Sequence, residues 1–120
     1  MVSACLLGVC CNHRGEANTA AHVQALRATH DLIGVCPETA GGLPTPRPAA
    51  EVQADGRVRT ADGTDVTDAY ERGAAATVAL ARAVGAQRAV LKARSPSCGS
   101  GGVTFERLRA AGLAVASEED

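Results

Sequence analysis

Five cysteines are the residues best able to do chemistry in this chain of 120 residues, and three of them recur in one kind of place. Cys5 lies in SACLLG (residues 3–8), Cys36 in GVCPE (residues 34–38) and Cys98 in KARSPSCG (residues 92–99), each after a short apolar run. Pro37 and Gly99 turn the chain beside the last two. Cys10 and Cys11 form an adjacent pair, and neighbouring side chains diverge in extended backbone, so the pair is poorly suited to share one metal. Thiolates are metal ligands and nucleophiles. No CxxC pair is present, so the paired spacing of a structural zinc site is missing. Iron–sulfur clusters are held by thiolates and need no such pairing when the ligands come from separate loops. Three thiolates would leave one iron of a cluster open, and an open position is what a catalytic Lewis acid uses. The duller reading is that a free cysteine is a small buried hydrophobe, which fits Cys5 between Ala4 and Leu6 best. His13, His22 and His30 share no spacing with the cysteines and read as non-ligands.

The elements that must position these thiols follow from the apolar pattern. Residues 2–7, 32–35, 88–93 and 113–116 read as short buried strands. Helices are expected from an Asn18-Thr19 cap through Val23, Leu26 and His30, and over residues 104–111 up to Gly112. A long helix capped by Asp65 would turn Val66, Ala69, Gly73, Thr77, Leu80 and Val84 inward and close at Gly85. Val52 and Val58 flank Asp55-Gly56, a hairpin signal. Residues 39–50, with GGLPTPRP, read as a long irregular loop, and such loops in small domains are more often functional than idle. Residues 117–120 read as a polar, acidic tail. Strands alternating with helices indicate an α/β fold, a single domain over residues 1–120. It is a mostly parallel, Rossmann-like sheet with flanking helices and a small β-hairpin insertion. Ligands of such sheets bind at the carboxyl ends of the strands, where strand order reverses. Cys5, Cys36 and Cys98 would all emerge on that edge.

Composition excludes several function classes. Aromatic residues are only 2% of the chain, so the core must be built from Ala, Val and Leu. The net charge is −1 with acids and bases interspersed, which gives no footprint for nucleic acid or an anionic membrane. No apolar stretch is long enough to span a bilayer and Met1 runs directly into the first strand, so a cytoplasmic protein with a small-molecule partner is expected. There, cysteines point to metal or redox chemistry more than to disulfides.

Taken in order, SACLLG, CPE with GGLPTPRP, GTDVT, and KxxSPSCG followed by GVT resemble the DUF523 family, with motifs running from Ser3 to the strand near Ser117. The resemblance implies a thiouracil desulfidase carrying a 4Fe–4S cluster on three cysteines. The open iron of such an enzyme takes up the sulfur of the substrate, and the carbon is hydrolysed without net redox change. It implies Cys5, Cys36 and Cys98 as ligands, Glu38 as acid/base, with Ser95 assisting, and a cluster labile in air. Cys11 matches a family cysteine and competes with Cys5 for the first ligand position.

The residues themselves allow further readings. Glu38 follows a ligand cysteine in a crevice suited to proton transfer; its plainer role is to cap a loop. Ser95 precedes proline and is held extended, or is an ordinary turn serine. Ser97 and Gly99 complete a substrate-binding set, with the backbone of residues 99–102 cradling an anion or a carbonyl. Arg47, inside the proline-rich loop, reaches either substrate or solvent. Lys92 is placed to pair with Glu38. Two departures from the family stand out. Asn12-His13-Arg14-Gly15 replaces RYDG after Cys11, and only Ser100-Gly101 separates SPSCG from Gly102, a shortening that removes a wall of the expected pocket. A second function class therefore stays open, a non-catalytic or thiol-redox, metal-binding module that keeps the cysteine-lined edge.

Overall fold

A computed structural model describes residues 1–120. Its strands are β1 (Val2–Ser3), β2 (Gly34–Val35), β3 (Ala50–Val52), β4 (Val58–Thr60), β5 (Arg88–Leu91) and β6 (Ala114–Ser117); its helices are α1 (Ala21–Gln24), α2 (Pro37–Ala40), α3 (Thr67–Val84) and α4 (Val103–Ala110). Strands β2-β1-β5-β6 form one sheet in that order, every pair parallel, and β3 and β4 form a separate antiparallel hairpin. The expected α/β architecture is therefore the observed one, with Val52 opposite Val58 across the Asp55-Gly56 turn.

The sheet is packed on both sides. Met1, Ala89 and Leu91 face Ala81 of α3 and Phe105 and Leu108 of α4. Val2, Ala4 and Leu6 pack with Val23 of α1 on the other side. The chain leaves β1 for β2 on one side and returns to β5 on the other, so strand order reverses between β1 and β5, the place where open α/β sheets bind ligands.

Several boundaries differ from the sequence reading. Pairing of β1 ends at Ser3, and Ala4–Leu7 winds into a 3-10 turn closed by Gly8 at φ 99, so Cys5 stands in that turn rather than in the strand. Asn18 and Thr19 do not cap a helix; α1 starts after Ala20 and passes after four residues into a 3-10 segment, Ala25–Ala28, which leaves His30 exposed. Asp65 lies one residue outside the cap at Val66, yet Oδ1 still accepts the Thr67 N–H at 2.9 Å. Val84 is exposed, and the buried face of α3 includes Tyr70 and Ala74. The loop expected over residues 39–50 begins later, because α2 extends to Ala40. Residues 117–120 are no free tail. Ser117 closes β6, and the Glu118 N–H continues the ladder to the Leu91 carbonyl at 3.0 Å.

Two glycines let α2 lie directly on α3. A Cβ on Gly41 would fall 1.9 Å from the Ala69 carbonyl oxygen, and one on Gly73 would fall 1.9 Å from that of Pro37. Both neighbours are backbone and cannot swing aside. Gly73→Ala is thus expected to destabilise the protein by ~1–3 kcal/mol, an overpacking cost that exceeds the helix-propensity gain of alanine. Thermal denaturation checks this: a Tm lower by several degrees is expected, and an unchanged or raised Tm would contradict the close approach.

Candidate active site and thiol cluster

The carboxyl ends of β1, β2 and β5 open into a cavity of about 340 Å³, near the small end of ligand sites. Cys5, Cys11, Cys36 and Cys98 all line it, and Cys10 is exposed outside it. No disulfide joins any of the five cysteines. Each thiol is delivered by a different piece of local structure. The 3-10 turn after β1 carries Cys5, and Cys36 caps α2, where Pro37 at the first helical position has no N–H to leave unpaired. Cys98 sits in the turn after β5, built on Ser95, whose Oγ accepts the N–H groups of Ser97 (3.1 Å) and Cys98 (3.0 Å). Arg94 enters that turn in the left-handed region at φ 62, a conformation that non-glycine residues hold only when their surroundings enforce it.

Three of the four sulfurs belong to buried residues, Cys36 is half-buried, and hydrogen-bonding groups lie beside them. Burial pushes the Cys98 thiol up to about 12, against a hydrogen bond with Ser3 that acts the other way. Burial likewise raises Cys5, opposed by Asn18. Cys11 is pushed up to about 12 by burial and by the neighbouring Cys36 sulfur. Cys36 reaches the Cys11 carbonyl at 3.6 Å and receives Arg47 Nη2 at 3.9 Å. The thiols of Cys5, Cys11 and Cys98 therefore keep their protons near neutral pH, and a metal group binding them must displace those protons.

No three His, Cys, Asp or Glu side chains converge closely enough to hold a single metal ion. Ligands of a lone tetrahedral zinc, at about 2.3 Å from the metal, crowd within about 4 Å of one another. A cluster instead inserts its own iron–sulfur body between the thiolates. The donor set fits such a group: cysteine sulfurs facing one cavity from separate turns, with hydrogen-bond donors behind them.

Glu38 faces the same cavity with its side chain 15% exposed. Its Oε1 accepts Arg47 Nε at 3.1 Å and the Tyr70 hydroxyl at 2.5 Å, and no protein donor reaches Oε2. The Arg47 side chain is only 3% exposed. Its Nη1 donates to the Pro44 carbonyl (3.3 Å) and Thr45 Oγ1 (3.1 Å), and its Nη2 to the Cys11 carbonyl (2.8 Å). Arg47 is therefore no solvated surface arginine, and it lines the cavity. It ties the proline-rich loop to Glu38, Cys36 and Cys11.

Three other expectations need correction. Lys92 pairs with Glu118 (3.1 Å), not Glu38. Burial alone would raise the Glu118 carboxyl, but the Ala93 N–H and Lys92 outweigh it and hold it below the usual carboxylate range. Ser97 does not line the cavity: it is 1% exposed and bonds Thr104 Oγ1 at 2.8 Å, anchoring α4. Gly99 lies outside the cavity too, and no cradle forms. The N–H groups of Gly99, Gly101 and Gly102 go to Ser95 O, Glu106 Oε1 and Gly99 O. The sequence reading missed Tyr70, Asn18 and Ser3. A tyrosine on the inner turn of a helix was the available signal, because a buried hydroxyl requires a partner.

A family model for 2-thiouracil desulfurase matches residues 1–119. The chain belongs to the 2-thiouracil desulfurase family. Among its relatives, the uncharacterized protein YbbK of Bacillus subtilis (strain 168) is 35% identical over 144 residues, covering 100% of this chain and 95% of YbbK. That alignment is longer than the chain, so YbbK carries residues that this family member lacks. The solved structure of the [4Fe-4S]-dependent thiouracil desulfidase TudS (DUF523Vcz) has a TM-score of 0.90 at 41% identity, covering 98% of this chain and 89% of that one. No helix of the protein is long and apolar enough to cross a membrane.

Proposed function

We propose that this family member is a cytoplasmic desulfidase that removes sulfur hydrolytically, without net redox change, from a thiolated pyrimidine such as 2-thiouracil or a similar small thioamide. The observation that carries the reading is the convergence of the thiols and the half-free Glu38 carboxylate on one small cavity at the switch point of the sheet. Cys5, Cys36 and Cys98, from three strand ends, would hold a 4Fe–4S cluster. When bound, such a cluster supplies an iron with no protein ligand, a Lewis acid with affinity for sulfur.

The chain's own residues account for the proton movements. Hydrolysis forms a C–O bond from water, breaks the C–S bond and releases sulfur as sulfide, its oxidation state unchanged. Oε2 of Glu38 takes a proton from the water as the C–O bond forms and returns one as sulfur departs. Ser95 Oγ accepts two backbone N–H groups, which leaves its own proton to donate to a ring nitrogen or carbonyl of the substrate. Arg47 and the surrounding apolar walls hold this constellation against water and rotation.

The test is turnover of 2-thiouracil by protein reconstituted with iron and sulfide under anaerobic conditions. Uracil and sulfide should appear in equal amounts and without added reductant. If no thiolated pyrimidine or thioamide is consumed, while the thiols cycle with a disulfide partner, the thiol-redox module replaces this reading.

A further inference from the structure

The proposed reaction gives Tyr70 no step, yet this side chain is 2% exposed and its hydroxyl donates to Glu38 Oε1 at 2.5 Å. Arg47 Nε donates to the same oxygen at 3.1 Å. Two donors on one oxygen and none on the other divide the carboxylate into an anchored end and a free end. The terminal torsion of a glutamate is broad and two-fold, so a carboxylate held by one bond samples both faces. The two anchors come from different elements, Tyr70 from the rigid helix α3 and Arg47 from the loop after α2, and together they remove that freedom. Gly73, one turn along α3, lets the helix approach the Pro37 carbonyl, which brings the phenol within reach of Glu38.

We propose that Tyr70 is a positioning residue for desulfuration, fixing the Glu38 carboxylate so that Oε2 alone meets the substrate. The proposal rests on Glu38 being the acid/base. The competing account is that the phenol merely satisfies its own buried hydroxyl, in which case its loss would cost stability and leave the reaction unchanged.

Tyr70→Phe removes one oxygen and keeps the ring. With iron content at the wild-type level, kcat is expected to fall about tenfold or more while KM holds, as for a misaligned catalytic group. Glu38→Gln is measured alongside. If Tyr70→Phe turns over normally while Glu38→Gln is inactive, the positioning role is overturned and the acid/base role stands. If Glu38→Gln itself turns over normally, the acid/base role is overturned and the proposal goes with it. A second readout needs neither cluster nor turnover. Tyr70 is the only tyrosine and there is no tryptophan, so ultraviolet emission of the cluster-free full chain reports this one phenol. A hydrogen bond to a carboxylate quenches tyrosine, and Glu38→Ala is expected to brighten the emission. Emission unchanged in Glu38→Ala would overturn the contact even if Tyr70→Phe fails to fold.

Discussion

Glu38→Gln is expected to retain its iron and lose turnover by about a hundredfold or more, the usual cost of removing a general acid/base. The amide is close in size and can still accept from Tyr70 and Arg47 at its carbonyl oxygen, so the loop and the thiols should stay in place. What it cannot do is carry a proton between water and the departing sulfur. Steady-state kinetics beside iron quantification separate the two effects. Normal turnover in an iron-replete Glu38→Gln would remove the residue from the reaction. Iron lost together with turnover would assign it to building the site instead.

The placement of the thiols was legible in the sequence because it depends on a coarse feature. Short apolar runs ending in Cys-Pro or a serine- and glycine-rich turn, separated by helical segments, force a parallel sheet, and parallel strands deliver their ends to one edge. That logic tolerates wrong boundaries. Pairing of β1 stops at Ser3 rather than running to Leu7, yet Cys5 still reaches the cavity. The support around Glu38 was not legible. Tyr70 lies 32 residues from Glu38, and no local pattern pairs a helical tyrosine with a carboxylate at that separation. The solvated reading of Arg47 failed for the opposite reason: a charged residue in a proline-rich loop is usually solvated, and only the folded loop shows its guanidinium engaged by five acceptors. Lys92 found Glu118 because the C-terminal residues extend the β6 ladder, which an acidic ending does not announce. Gly41 and Gly73 show the same limit, since their smallness matters only where two backbones touch.

Substitution of the three proposed ligand cysteines is expected to have the largest effect of all. Cys5→Ala, Cys36→Ala and Cys98→Ala should each lose most of their iron after anaerobic reconstitution and, with it, turnover. A site left with two thiolates cannot hold a cluster that three already leave with an open iron. Cys10→Ala should bind iron normally, because Cys10 is exposed away from the cavity. Cys11 lines the cavity beside Cys36 and therefore decides the identity of the first ligand. Iron retained in Cys11→Ala and lost in Cys5→Ala supports Cys5. The reverse outcome moves that ligand to Cys11 and leaves the rest of the site as described.

The central claim is that these thiols hold a cluster, and iron and acid-labile sulfide measured per chain after anaerobic reconstitution test it most directly. The account predicts brown protein with about four of each, as in the cluster type named for TudS, fading in air as the open iron is attacked. A colourless chain that takes up zinc, or no metal at all, under the same conditions would contradict it.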